Sequence, residues 1–107
     1  RLHCAACRHP VTGAAERIVV AGGHVHTFSN PHGVSFRIGC FRSAAGCAAH
    51  GAETPEWTWF AGYAWCIAVC RGCGAHLGWS YRARDGHGFH GLILARLIWM
   101  SDRDLAH

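Results

Sequence analysis

The chain has 107 residues, the size of one domain, and a core that small gains from an added staple. All ten of its basic residues are arginine, and the net charge of +4 is spread from Arg1 to Arg103 without a run, which argues against a nucleic-acid-binding surface. No apolar stretch is long enough to cross a bilayer and no signal-peptide pattern opens the chain, so the expectation is a soluble, cytoplasmic, monomeric domain spanning residues 1–107.

In chain order, the pair Cys4-Ala5-Ala6-Cys7 comes first. Ile18-Val19-Val20, the Gly22-Gly23 break and Val25 to Phe28 together predict a hairpin, and Val34 to Cys40 predicts a further strand. Ser43 to Pro55 is rich in Ala, Gly and Ser and is expected to be a connecting loop, with one helical turn at Ala44 to Ala49. From Tyr63 the alternation is clear: Tyr63, Trp65, Ile67 and Val69 share one face, and Ala64, Cys66 and Ala68 the other. Leu77, Trp79 and Tyr81 are likewise expected on one face. Phe89 to Trp99 predicts a last strand, and Ser101 to His107 a frayed tail. Short-range alternation broken by 14 glycines therefore predicts an all-β fold of short antiparallel strands. No internal repeat is visible beyond the two C-x-x-C pairs.

Those pairs are the strongest chemical signal. Seven cysteines are an odd number, and four of them, Cys4, Cys7, Cys70 and Cys73, form two C-x-x-C pairs separated by most of the chain. Thiolate ligation of a structural Zn²⁺ explains this better than a disulfide framework. Four thiolates close the tetrahedron and leave no position for water or substrate. A redox C-x-x-C is the rival reading, but such motifs come singly and precede a helix. Cys40, Cys47 and Cys66 are then expected to be buried, inert thiols. His24-Val25-His26 and His87-Gly88-Phe89-His90 lack cysteine or carboxylate partners nearby and are expected to be surface or core histidines.

A knuckle at Cys70–Cys73 folds its flanking strands into a hairpin, so Trp65 and Trp79 should lie nearly side by side. At about 3.3 Å per residue they would stand roughly 17 to 20 Å from the metal, too far for the metal to act on what they hold. Trp59 lies beyond a turn at Ala61-Gly62 and can return over the same face as a third wall. Spacing alone leaves two readings open: the aromatics fill the core, or they line a binding cage.

The segments Phe28-Ser29-Asn30-Pro31-His32-Gly33, Trp59 to Trp65, Cys70 to Tyr81 and Phe89-His90-Gly91-Leu92 resemble the cereblon thalidomide-binding, or CULT, domain family, from Cys4 to about Leu97. The resemblance implies a β-tent of two antiparallel sheets pinned by zinc on Cys4, Cys7, Cys70 and Cys73. It implies cage walls of Trp59, Trp65 and Trp79, Tyr81 at the base and Asn30 and Pro31 at the rim, with Trp57 and Phe60 also among the ligand-binding residues. The implied ligand is the glutarimide ring of thalidomide-type drugs, or a cyclic imide at a protein C-terminus, and no catalysis. The sequence departs from the family at Trp57, where cereblon has a histidine; the Trp57 carbonyl and Trp59 N–H are still expected to meet the imide edge. Two rivals remain. A methylammonium-reading cage commonly adds a carboxylate, and only Glu56 is near. Methionine sulfoxide reductases of the B type share the zinc pairs and a segment like Cys73 to Gly78, but carry a catalytic cysteine on a late strand, where this chain reads Gly91-Leu92-Ile93-Leu94-Ala95.

Overall fold

A computed structural model of the protein describes residues 1–101, so the expected tail at 101–107 lies, beyond Ser101, outside the described residues. Nine strands form among the described residues, β1 (Leu2–Cys4), β2 (Pro10–Thr12), β3 (Val25–Ser29), β4 (Ser35–Phe41), β5 (Cys47–Thr54), β6 (Tyr63–Cys70), β7 (His76–Ala83), β8 (Gly88–Ile93) and β9 (Leu97–Trp99). Among the described residues there is no α-helix, only two single 3-10 turns, at Ala14–Glu16 and Leu94–Arg96, and no helix is long and apolar enough to cross a membrane. The expected all-β fold is observed: a three-stranded sheet in the order β2-β1-β9 and a six-stranded sheet in the order β3-β4-β8-β7-β6-β5, every pairing antiparallel.

Two apolar clusters hold this arrangement. Leu2 and Val11 from the small sheet meet Phe41, Ala68, Leu77 and Leu92 of the large one, which fastens the sheets together. Further along the large sheet, Ile38, Phe60, Tyr81, Phe89 and Ile93 form a second cluster against which Trp59, Trp65 and Trp79 pack. Strands β7 and β8 approach closely at Gly78, where a Cβ would collide with the Gly91 carbonyl, so only glycine fits.

Four local expectations are corrected. Residues 18–20 do not pair with β3 as a hairpin arm. A tight turn does form at Ala21-Gly22, with Val20 N–H donating to Gly23 O at 3.0 Å, but it closes only one bridge. Strand β3 instead takes the full ladder offered by β4, from Val25↔Gly39 to Ser29↔Ser35, while the Ile18 and Val20 carbonyls are bonded by the rings of His24 and His26 at 3.2 and 2.8 Å. The segment 43–55 is not a loop with a helical turn: Ala44 to Cys47 makes one turn and Cys47–Thr54 is a strand at the sheet edge. Its Ala and Gly residues have little strand preference of their own, and pairing with β6 supplies the order.

Leu77 does not share the face of Trp79 and Tyr81. A bulge sets Ala68 opposite Gly78 but Val69 opposite His76, so Leu77 turns into the first cluster and His76 takes its place beside Trp79. Finally, Phe89 to Trp99 is not one strand. The ladder of β8 with β4 ends at Ile93↔Ile38, the turn Leu94–Arg96 redirects the chain, and β9 joins β1 in the other sheet.

Candidate functional site

The two C-x-x-C pairs come together at the ends of β1 and β6. The Sγ atoms of Cys4, Cys7, Cys70 and Cys73 all lie within 4.8 Å of one another, with Cys4–Cys73 at 3.8 Å and Cys7–Cys70 at 3.6 Å. All seven cysteines are free thiols, so no disulfide forms. A tetrahedral ion with metal–sulfur bonds of about 2.3 Å requires S···S edges of about 3.8 Å, close to the two shortest edges here, so the cluster could hold a metal ion.

Both knuckles are built alike. Arg8 N–H donates to Cys4 O and Gly74 N–H to Cys70 O, each at 2.8 Å, and Cys4 N–H and Cys70 N–H donate to His9 O and Ala75 O. This turn needs a left-handed residue after its second cysteine, met by Gly74 at φ 77° and, less comfortably, by Arg8 at φ 68°. Buried His3 donates from Nδ1 to the Arg8 carbonyl at 2.8 Å and so clamps that strained residue. At Cys70, burial raises the thiol pKa, but the N–H groups of Cys73 and Gly72 outweigh it and the net shift is downward. At Cys7 the His9 N–H lowers the pKa, yet burial and proton sharing with Cys70, Cys73 and Cys4 push it up to about 12. A cation among the sulfurs would reverse that, since metal ligation deprotonates thiols.

The tryptophans frame a separate cavity of about 530 Å³. Ladder alternation explains its wall: Trp65 pairs with Tyr81 and Ile67 with Trp79, so the four project from one face of the β6–β7 hairpin. After the turn at Ala61-Gly62, Trp59 returns over this face and meets Trp79 edge-on, ring centroids 4.7 Å apart at 72°. Phe28 stacks behind Trp59 at 5.1 Å, and Phe36 packs on Trp79 at 5.2 Å. The indole N–H of Trp59 donates to Ser29 O at 3.3 Å and that of Trp65 to Glu56 O at 2.6 Å. Both rings are thereby locked, and their one polar group is turned to the backbone.

Of the residues expected at the site, Asn30, Pro31, Trp57, Trp59, Trp65, Trp79 and Tyr81 line this cavity. Asn30 spends its Oδ1 on the N–H groups of His32 and Val34, which shapes the rim. Tyr81 is buried, and burial pushes its phenol pKa up. Phe60 does not line the cavity: its ring is buried against Tyr81 and Phe89, at 4.9 and 5.0 Å. Trp57 is 73 % exposed at the mouth with φ 59°, the third position of a turn closed by Thr58 N–H to Pro55 O. Neither the Trp57 carbonyl nor the Trp59 N–H has a hydrogen-bond partner among the described residues.

Sequence reasoning missed His32, Phe36, Ile67 and His76 as lining residues. The alternation that selected Trp65 also selects Ile67, and Phe36 lies on the expected strand Val34 to Cys40. The bulge that brings in His76 has no sequence signature. His76 donates from Nε2 to Gly78 O at 2.9 Å, and burial, with a contribution from Arg96, lowers its pKa. A larger cavity, about 600 Å³, lies on the opposite face over Cys66, Ser80 and His90, but it is flanked by Arg71, Arg82 and Glu53 and is the more polar. The aromatic cavity better suits capture of a small ring.

The fold and these two features define an all-β domain with a four-cysteine cluster able to hold a metal ion and a separate aromatic pocket. Compared with known proteins, 61 residues of the chain are 39 % identical to cereblon of Gallus gallus, 38 % to that of Xenopus tropicalis and 36 % to that of Danio rerio. The match covers 57 % of this chain but only 14 % of each of those proteins. No protein-family model matches the chain. Together with the fold and the cysteine cluster, these similarities support a cereblon-like (CULT) domain.

Proposed function

We propose that this chain is a single ligand-binding domain that takes small neutral cyclic imides of the glutarimide type, free or at a protein C-terminus, between Trp59, Trp65 and Trp79, and that the four cysteines hold a structural zinc ion. The observation that carries the reading is the pairing of locked indole faces with two main-chain groups that have no hydrogen-bond partner among the described residues, Trp57 C=O and Trp59 N–H, on residues that line the same pocket. An imide offers CH₂ groups to the rings and an acceptor–donor–acceptor edge to a carbonyl and an N–H. Zinc suits an all-thiolate tetrahedral set with no open position. The domain acts as a monomer in the cytoplasm on this reading, without nucleic acid or membrane.

The methylammonium alternative lacks support in the pocket, since none of its lining residues is acidic. The reductase alternative requires an accessible thiolate. Outside the metal cluster only Cys40, Cys47 and Cys66 are available, all buried, and burial pushes the first two up to about 11.

Glutarimide has about eight heavy atoms, and at about 0.8 kcal/mol per atom the binding free energy is roughly 6–7 kcal/mol, a Kd in the tens of micromolar. Titration of tryptophan fluorescence with glutarimide is expected to saturate in that range. In Trp79→Ala, which removes the ring that Trp59 and Phe36 both touch, affinity should drop by at least about tenfold while the metal content stays unchanged. Binding that survives in Trp79→Ala would place the site elsewhere.

A further inference from the structure

Arg96, on the 3-10 turn between the two sheets, does not line the aromatic pocket but reaches two residues that do. Its Nη1 donates to the His76 carbonyl at 2.8 Å, and its guanidinium carbon stands 5.8 Å from the centroid of the Phe36 ring. Phe36 in turn contacts Trp79 edge-on at 5.2 Å and Trp59 at 6.1 Å. A permanent positive charge is thus fixed one aromatic ring away from the cage, and it already uses the electron-rich face of Phe36.

Among the described residues, none of those lining the pocket is acidic; Glu56 accepts the Trp65 indole N–H on its backbone carbonyl, and Glu53 is paired with Arg82 at 2.9 Å. The same guanidinium contributes to keeping His76, which shares the pocket wall, in its neutral form.

We infer that Arg96 sets the charge selectivity of the aromatic pocket, so that it favours neutral rings and rejects cations of the same shape that an aromatic cage would otherwise welcome. The inference rests on the pocket described above being the binding site, and it would give a cage of three indoles discrimination against methylammonium groups without any steric device. Arg96 is solvent-exposed, so its field is partly screened, and the expected penalty on a cation is about three- to fivefold at low ionic strength.

The test compares choline with its uncharged isostere 3,3-dimethyl-1-butanol by calorimetric titration of the metal-loaded domain at low salt. In Arg96→Met the disadvantage of choline should shrink about three- to fivefold, in Arg96→Glu it should shrink further, and in Arg96→Lys it should persist. High salt should compress the difference between the wild-type and Arg96→Met proteins. A purely structural role for Arg96 would weaken both ligands together and leave their ratio fixed. An unchanged ratio across Met and Glu, a Lys variant behaving like Met, or failure of both ligands to bind any of the proteins would overturn the inference. A parallel glutarimide titration reads the imide proposal alone: its failure while the isosteric pair still responds to Arg96 would refute the ligand class and leave the charge filter standing.

Discussion

Replacing Trp57 by glycine and by alanine tests the geometry of the pocket mouth more sharply than either change alone. Trp57 has φ 59°, a conformation that costs a side-chain-bearing residue about 1–2 kcal/mol and glycine almost nothing. Both substitutions remove the same indole, which is 73 % exposed, so the small packing loss cancels between them. What remains is relief of the left-handed strain, about 1–2 kcal/mol in favour of glycine, against the extra unfolded-state freedom of glycine, about 0.5–1 kcal/mol. Trp57→Gly should therefore be more stable than Trp57→Ala by about 0.5–1 kcal/mol, which for a domain of this size separates their Tm values by about 3–6 °C. This inverts the order found at ordinary helix and strand positions. Thermal melts followed by far-ultraviolet circular dichroism, with metal content held equal, measure it. Both variants should bind glutarimide within about tenfold of the wild type, because the Trp57 carbonyl and Trp59 N–H remain. An alanine variant as stable as the glycine variant would mean that the turn at Pro55–Thr58 relaxes at no cost, and the strain argument would be wrong.

Three further outcomes are expected. Metal analysis should give one zinc per chain, and a strong chelator should unfold the domain because the ligands come from segments 63 and 69 positions apart; a folded, metal-free, fully reduced protein would refute this. With a dithiol reductant, methionine sulfoxide should not be turned over above background, since the three remaining thiols are buried and stay protonated at neutral pH. Burial holds the pKa of His90 below its ordinary 6.5, so the unfolded chain takes up a proton that the fold refuses. Its contribution to stability is therefore present above about pH 6.5 and lost as the pH falls below it. Urea midpoints should decline from pH 7.5 to 5.5, and His90→Gln should decline less; equal slopes in the two proteins would remove His90 from the account.

Cysteine spacing and strand alternation carried a large share of this architecture. The pairs Cys4/Cys7 and Cys70/Cys73 announced a common centre, and the run Tyr63 to Val69 announced which side Trp65 and Ile67 face. Features that depend on a partner strand were invisible. Half of strand β5 is alanine or glycine, and pairing with the edge of β6 makes it extended. The bulge that exchanges Leu77 for His76 on the pocket wall depends on the register of Ala68 and Val69. The change of sheet at Leu94–Arg96 occurs inside an apolar run interrupted only by Arg96, where the sequence reads as one strand. The resemblance implied Phe60 at the pocket, but its ring is buried against Tyr81 and Phe89 while that of its neighbour Trp59 lines the cavity.

The central position of β1 in the small sheet bears on how the chain is made. Strand β1 needs β9, the last strand, as its second neighbour, and its Cys4 and Cys7 need Cys70 and Cys73. At synthesis rates of about 5–20 residues per second, the first knuckle waits roughly 3–14 seconds for the second to emerge, and its two thiols are open to oxidation throughout. Neither sheet can be completed from the first half of the chain, because β4 borders β8 and β1 borders β9. Any metal the cluster takes up can therefore be acquired only late, and until then the nascent domain is an unpaired, thiol-bearing chain whose protection must come from its surroundings.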